Sequence, residues 1–271
     1  MEHLTFHHGG RFGDCIAALY AVEQLCAREG KKAHIILSDF HAPVGWDEGK
    51  ARSLLPFLET MPYVERATFV PYKLLDTKGF DYDLHAAEDM MNPQDFPEYD
   101  GSPWPGNVHL AKRYAHYFGF PFNPEHVWIP SVTVASWGPY YDVVFHAPLR
   151  RTVDQEQLRR IVAGVRAAGK SVCVLGDSQD YLEWQKSLEQ FGIEFIGEGN
   201  DWNMTKYLVS VAQCFLGAVS SVQMLAEAMK KPRFVQVAQG CNNIYAQGVT
   251  GHTINGMEPE KVVELILHTI Q

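Results

Sequence analysis

Nothing in the 271-residue sequence approaches the roughly 18 consecutive apolar residues that a membrane-spanning helix needs. The opening Met1-Glu2-His3-Leu4-Thr5-Phe6-His7-His8 also lacks the basic-then-apolar order of a secretory signal. Cysteine is sparse: Cys15, Cys26, Cys173, Cys214 and Cys241 are odd in number and show no C-x-x-C spacing. That pattern excludes a disulfide framework and fits reduced, mostly buried thiols. A cytoplasmic protein without a membrane span is the expectation. Positive charge is short as well, with 23 Lys plus Arg against 32 Asp plus Glu and a net charge of −9. Residues 1–135 hold 11 basic and 18 acidic side chains, and residues 136–271 hold 12 and 14. A sequence-blind grip on naked nucleic acid needs clustered cations to displace counterions, so this balance argues against it. Two catalytic signatures are also missing: H-E-x-x-H among the twelve histidines, and the G-x-S-x-G nucleophile elbow. The pair His7-His8 shows no carboxylate or cysteine partners at metal-site spacing.

What is present is a chain that is 46% hydrophobic, enough for one large domain or two of ordinary size. Short β-branched runs alternate with longer helical patterns, the mark of an α/β protein with parallel sheets. Strands are predicted at 4–6, 33–37, 67–70 and 82–85, with helices at about 14–29, 51–61 and 108–118. Gly30 is the expected stop of the first helix. Residues 90–106 carry four prolines and read as one long loop. The pattern then restarts, with strands at 141–146, 171–175, 194–196, 214–219 and 234–237. Helices are predicted at about 154–168, 181–191, 204–212, 221–230 and 259–270, with Asp154 as an N-cap. Two Rossmann-like domains facing one cleft is the architecture this implies, with domain 1 at 1–135 and domain 2 at 136–271.

In open α/β sheets ligands bind at the carboxyl ends of the strands, where helix N-termini attract anions. Three loops there carry candidate chemistry. The first is Gly9-Gly10-Arg11-Phe12-Gly13-Asp14, whose glycines admit close backbone approach and whose Asp14 would start a helix. It is an incomplete G-x-G-x-x-G fingerprint, because His8 holds the first position, although Asp39 would suit a ribose contact. A tight turn with Asp14 as helix cap is the competing structural reading. The second loop is His146-Ala147-Pro148-Leu149-Arg150-Arg151-Thr152, where adjacent arginines could neutralise phosphate or pair with Asp154 and Glu156. The third begins at Val219-Ser220-Ser221, where small hydroxyl residues lead into a helix and suit either a diphosphate or helix capping. Gly176, after the second strand of domain 2, completes the lining with Gly10, Gly13 and His146. Asp81-Tyr82-Asp83 matches the D-x-D pattern of metal-dependent sugar transferases, but on a short strand at most one carboxylate need face a ligand.

These loops, in this order, resemble the heptosyltransferase-like glycosyltransferases that use ADP-heptose. Gly10-Arg11-Phe12-Gly13-Asp14-Cys15 is similar to the family's opening G-x-x-G-D loop and helix, and Phe80-Asp81-Tyr82-Asp83-Leu84 to its Tyr-Asp strand. Phe145-His146-Ala147 and Val174-Leu175-Gly176 resemble the first two strands of its donor domain, and Ser220-Ser221 through Pro232 its later loop, helix and Lys-Pro exit. The family usually has an acidic residue where this chain has Val219, a glycine at Ser221 and a histidine at Met224.

The resemblance implies a GT-B architecture, an acceptor bound by the first domain, a nucleotide sugar bound by the second, and inverting transfer without a metal or other cofactor. Asp14 is then the candidate base, a weak one that works by placement, with Arg11 touching acceptor or diphosphate. Arg150, Arg151, Ser220 and Ser221 would hold the diphosphate. The acceptor could be a glycan, a protein, a small molecule or a modified nucleobase, and the acidic first half suits a neutral or basic one. The competing readings are a non-catalytic nucleotide-sugar-binding protein and an NAD-dependent oxidoreductase.

Overall fold

The computed structural model describes residues 3–40, 47–76, 79–90, 92–97, 99, 108–132, 140–148, 152–176, 178–196, 201–238 and 245–271. The chain divides into two compact units. Unit 1 is Met1–Asn123 with Trp128–Pro130 and Asp201–Asn203; unit 2 is Pro124–Val127, Ser131–Asn200 and Met204–Gln271. Ala135, after which the sequence places its boundary, lies outside the described residues.

Unit 1 is built on a four-stranded parallel sheet in the order β3-β2-β1-β4. The strands are β1 (Leu4–His8), β2 (Ala33–Leu37), β3 (Val64–Phe69) and β4 (Tyr82–Asp83). Helix α1 (Phe12–Glu29) buries eleven residues, among them Ile16, Leu19 and Leu25, so it is the core helix of the unit. Each such aliphatic side chain contributes about 1.5–3 kcal/mol on burial. The helix ends where Gly30 turns left-handed (φ 65°) and its N–H bonds the Cys26 carbonyl, the stop expected from the sequence. Trp128 fills the centre: its Nε1 donates to the Ile16 carbonyl at 2.9 Å, and its own carbonyl accepts from Tyr63 Oη at 2.9 Å.

Three expectations need correction. Helix α2 (Glu48–Leu58) starts earlier than its apolar pattern indicates, because the Asp47 carboxylate caps it through the Lys50 N–H. The strand expected at 82–85 stops at Asp83, whose Oδ1 accepts from the His85 and Ala86 N–H groups. That capping opens α3 (Leu84–Met90), so the long loop expected from residue 90 begins with a helix end and a short 3₁₀ turn at Pro93–Asp95. Helix α4 (Leu110–Tyr117) packs on α1.

Unit 2 carries a six-stranded parallel sheet in the order β10-β9-β8-β5-β6-β7. The strands are β5 (Val143–His146), β6 (Val172–Leu175), β7 (Glu194–Ile196), β8 (Cys214–Ala218), β9 (Arg233–Gln236) and β10 (Gly251–Thr253). Counted from β5, this is the doubly wound order 3-2-1-4-5-6, and the order in unit 1 is its first four strands. Helices α5 (Gln155–Ala167), α6 (Ser178–Leu188), α7 (Trp202–Val211), α8 (Ser221–Ala228) and α9 (Pro259–Thr269) complete the unit, although the first turn of α7 belongs to unit 1. Asp154 caps α5 as expected, accepting from Gln157 N–H at 2.9 Å. Helices α5 and α9 approach closely at Gly164, where a Cβ would lie 2.7 Å from Val263 Cγ2. The core centres on Phe145 against the edge of Trp184, with Leu216, Phe234, Ile161 and Val262 around them.

Among the described residues no helix is long and apolar enough to cross a membrane. Cys15, Cys26, Cys173 and Cys214 are buried thiols outside any disulfide, and Cys241 lies outside the described residues. Burial pushes the Cys26 and Cys214 thiols up to about 12, which makes them poor nucleophiles.

Candidate functional site at the carboxyl edges of the two sheets

Doubly wound sheets bind ligands at the carboxyl edge, between the strands where the order reverses. In unit 1 those strands are β1 and β4, and a histidine bridges them. His7 Nδ1 lies 3.2 Å from Asp83 Oδ1, and its Nε2 lies 2.8 Å from Ser38 Oγ at the end of β2. A carboxylate only accepts, so Nδ1 carries a proton, while Nε2 pairs with the serine hydroxyl. Burial works against ionisation of Asp83, but the His7 bond and the Ala86 and His85 N–H groups hold its carboxyl below the ordinary value. This is the bonding order of a Ser-His-Asp nucleophile site. Ser38 is 0% exposed, however, so the three groups act as a stitch across strand ends.

The glycine loop leaves β1 one residue later. The Gly10 N–H donates to His8 Nδ1 at 3.0 Å, and a Cβ on Gly10 would meet His8 Cε1 at 2.8 Å. Gly9 packs as tightly, with a Cβ there only 2.6 Å from Phe40 Cβ. Helix α1 then begins at Phe12 with Arg11 in the N-cap position and no side-chain cap. Asp14 therefore does not start or cap the helix: it is the acidic residue of the first turn, favourably placed in the helix dipole. Arg11 is exposed, Asp14 half-buried and Gly13 buried. Asp39 spends one oxygen on the Tyr72 N–H, at 2.6 Å, and so caps a short 3₁₀ turn. Asp81 accepts from the Thr5 N–H (2.7 Å) and hydroxyl (2.8 Å). Both carboxylates of the D-x-D pattern thus hold strand β4 in place. Among the described residues no group of three His, Cys, Asp or Glu side chains could hold a metal ion.

In unit 2 the reversal falls between β5 and β8, and again a histidine crosses it. His146, the last residue of β5, has its Nδ1 3.0 Å from Ser220 Oγ. The structure thus brings together two residues that the sequence singles out separately. Ser220 Oγ also accepts from the Gln223 N–H at 3.0 Å and so caps α8. The Ser220 hydroxyl is thus engaged by both the helix cap and the His146 ring. What the helix head offers an anion is the backbone N–H groups of its first turn, beginning at Ser221. Gly217 is a residue the sequence reading missed. It pairs with His146 in register, and a Cβ there would lie 1.9 Å from the His146 carbonyl oxygen. Only a glycine lets β8 run this close to β5. Gly176 is buried just past β6. Arg150 and Arg151 lie outside the described residues.

Two features of α8 were not legible. Gln223 is 0% exposed in its first turn. Glu227, about two turns into the helix, is 0% exposed and pairs with Lys230 and with Arg233 Nε at 2.5 Å. Arg233 is equally buried and donates to the Lys231 carbonyl (2.8 Å), Thr250 Oγ1 (3.0 Å) and the Gln247 carbonyl. This ionic knot fastens the segment before β10 to β9.

Two doubly wound units in one chain give the protein a GT-B fold. The likeness to particular solved structures runs along nearly the whole chain. E. coli heptosyltransferase WaaC with ADP superposes with a TM-score of 0.66 at 15% identity, covering 99% of this chain and 100% of that one. E. coli ADP-heptose lps heptosyltransferase II gives a TM-score of 0.57 at 11% identity, covering 99% and 98%. A family 9 glycosyl transferase from Veillonella parvula DSM 2008 gives 0.54 at 8% identity, covering 99% and 97%. No protein-family model and no curated protein sequence matches the chain.

Proposed function

We propose that the chain is a glycosyltransferase that moves a sugar from a nucleoside-diphosphate sugar to an acceptor hydroxyl, with inversion and without a metal. The observation that carries this reading is the full-length likeness to a heptosyltransferase solved with ADP. Unit 1 takes the acceptor and unit 2 the donor. The acceptor oxygen forms a bond to the anomeric carbon as the bond from that carbon to the diphosphate oxygen breaks, and the hydroxyl proton passes to Asp14. Placement in the first turn of α1 makes Asp14 a positioned rather than a strong base. The departing nucleoside diphosphate gains negative charge, which Arg150, Arg151 and the N–H groups at the head of α8 neutralise. Arg11, exposed at the N-cap of α1, contacts the acceptor or the diphosphate.

A non-catalytic nucleotide-sugar-binding protein is the second reading. It is favoured by the buried apolar Val219 and Met224, which offer neither the carboxylate nor the imidazole usual in the resembled family. Release of nucleoside diphosphate from a panel of nucleotide sugars, followed chromatographically with a broad acceptor set, separates the two. Asp14→Asn is expected to keep donor binding and lower turnover roughly 10²-fold or more. Near-parental turnover by that variant removes Asp14 from the role. Donor binding with neither transfer nor slow donor hydrolysis establishes the second reading.

A further inference from the structure

We propose that His8 is the positioning residue of the glycine loop, acting as a neutral imidazole with its proton on Nε2. The inference rests on the reading of Asp14 as base only for its effect on turnover. Gly10 N–H donates to His8 Nδ1 at 3.0 Å across two residues, the span of an Asx turn, in which Asn or Asp usually supplies the acceptor. A nitrogen that accepts carries no hydrogen, so the neutral ring holds its proton on Nε2, which faces Tyr114 Oη of α4 at 3.5 Å. His8 is 0% exposed, so water does not replace this bond when it is lost.

The ring also sets the loop's shape, because Gly10 lies so close to Cε1 that no side chain fits between them. Upstream, His7 ties β1 to Ser38 and Asp83. Downstream, the Phe12 ring packs 4.9 Å from the ring of Trp202. The backbone that presents Arg11 and Asp14 is therefore held on both sides, and His8 is the tie nearest to it. An imidazole protonated on Nδ1 cannot accept from Gly10, and the tie is lost.

The experiment compares His8→Phe, which keeps a ring without an acceptor, with His8→Asn, which restores the acceptor of an Asx turn. In His8→Phe, amide hydrogen exchange at Gly10 is expected to quicken about tenfold or more, with kcat falling by a similar factor and donor KM within about twofold. His8→Asn is expected to return both to within about threefold of the parent. Nitrogen-15 spectra of the parent's histidines, with His8 assigned from the variants, are expected to show the Nε2–H tautomer. An Nδ1–H tautomer, or unchanged Gly10 exchange in His8→Phe, overturns the proposal. So does a fall in kcat that His8→Asn fails to rescue. Should His8→Phe not fold, the tautomer of the parent and the Asn variant still decide. If the parent transfers no sugar, the proposed function fails alone, because the exchange and tautomer measurements judge His8 without it.

Discussion

The buried ionic knot of unit 2 makes an asymmetric prediction about stability. Glu227 and Arg233 are both 0% exposed, and Lys230 is 7% exposed. One carboxylate therefore serves two cations, and the two cations are not equivalent. Burial holds the Lys230 amine below its ordinary value despite Glu227, the effect expected of an ammonium largely withdrawn from water. Replacing Arg233 with Met leaves Glu227 paired to Lys230, but strips donors from the Lys231 and Gln247 carbonyls and from Thr250. Replacing Glu227 with Met leaves two cations facing each other in a dry site. Breaking a buried pair costs about 3–5 kcal/mol. Arg233→Met should fall near the lower figure and Glu227→Met near the upper one. The double variant leaves Lys230 as the one cation of the knot; because Glu227 and Arg233 bond each other, it should cost less than the two single changes added together. Urea unfolding followed by circular dichroism measures all three, and a loss of ~3 kcal/mol corresponds to about 6–12 °C in Tm. Losses under about 1 kcal/mol, or Arg233→Met proving the worse single change, would refute the reasoning.

Other perturbations test separate parts of the structure. Burial, aided by the Arg66 charge, pushes the His34 imidazole down to about 4. The unfolded chain then takes up this proton first as the pH falls below about 6.5. The stability this group contributes is present above that pH and is lost as the pH falls towards 4, by about 2–3 kcal/mol. Urea midpoints at pH 7 and 4.5 should therefore separate further for the parent than for His34→Gln; equal separations count against it. Gly217→Ala should destabilise unit 2 by about 1–3 kcal/mol through the clash with the His146 carbonyl, and a parental Tm would show that β8 can move aside. Arg150→Ala and Arg151→Ala should each weaken nucleoside diphosphate binding, by about 1.5–3 kcal/mol for a charge-assisted bond. Unchanged affinity in titration calorimetry for both would displace the phosphate site.

Local signals made most of the fold legible. Gly30 stops α1 by its left-handed backbone, Asp154 caps α5 with its carboxylate and Pro259 opens α9 with its fixed φ, each a property of the residue itself. Periodicity located both parallel sheets, but it does not report a cap, which is why α2 begins before its apolar residues require and why the start of α3 read as the end of a strand. Strand β10 escaped for a related reason, since Gly251, His252 and Thr253 carry no apolar alternation and join the sheet by pairing with β9. The glycine loop, His146 and Ser220 were legible as strand-end residues. Their bonds were not, because His7 finds partners 31 and 76 residues away and His146 finds Ser220 74 residues away. Gly217 looked like an ordinary strand glycine, and only the approach of β5 shows why no Cβ fits.

The central claim is that unit 2 binds a nucleoside diphosphate sugar. A thermal-shift panel of ADP, UDP, GDP, CMP, NAD and the corresponding sugar conjugates, with and without magnesium, tests it most directly. A ligand at a hundred times its dissociation constant should stabilise the fold by about 2.7 kcal/mol, a readily visible shift. The expected result is one nucleoside diphosphate and its sugar conjugates standing out equally with and without magnesium. A panel that stays flat, or that responds to NAD alone, would contradict the claim.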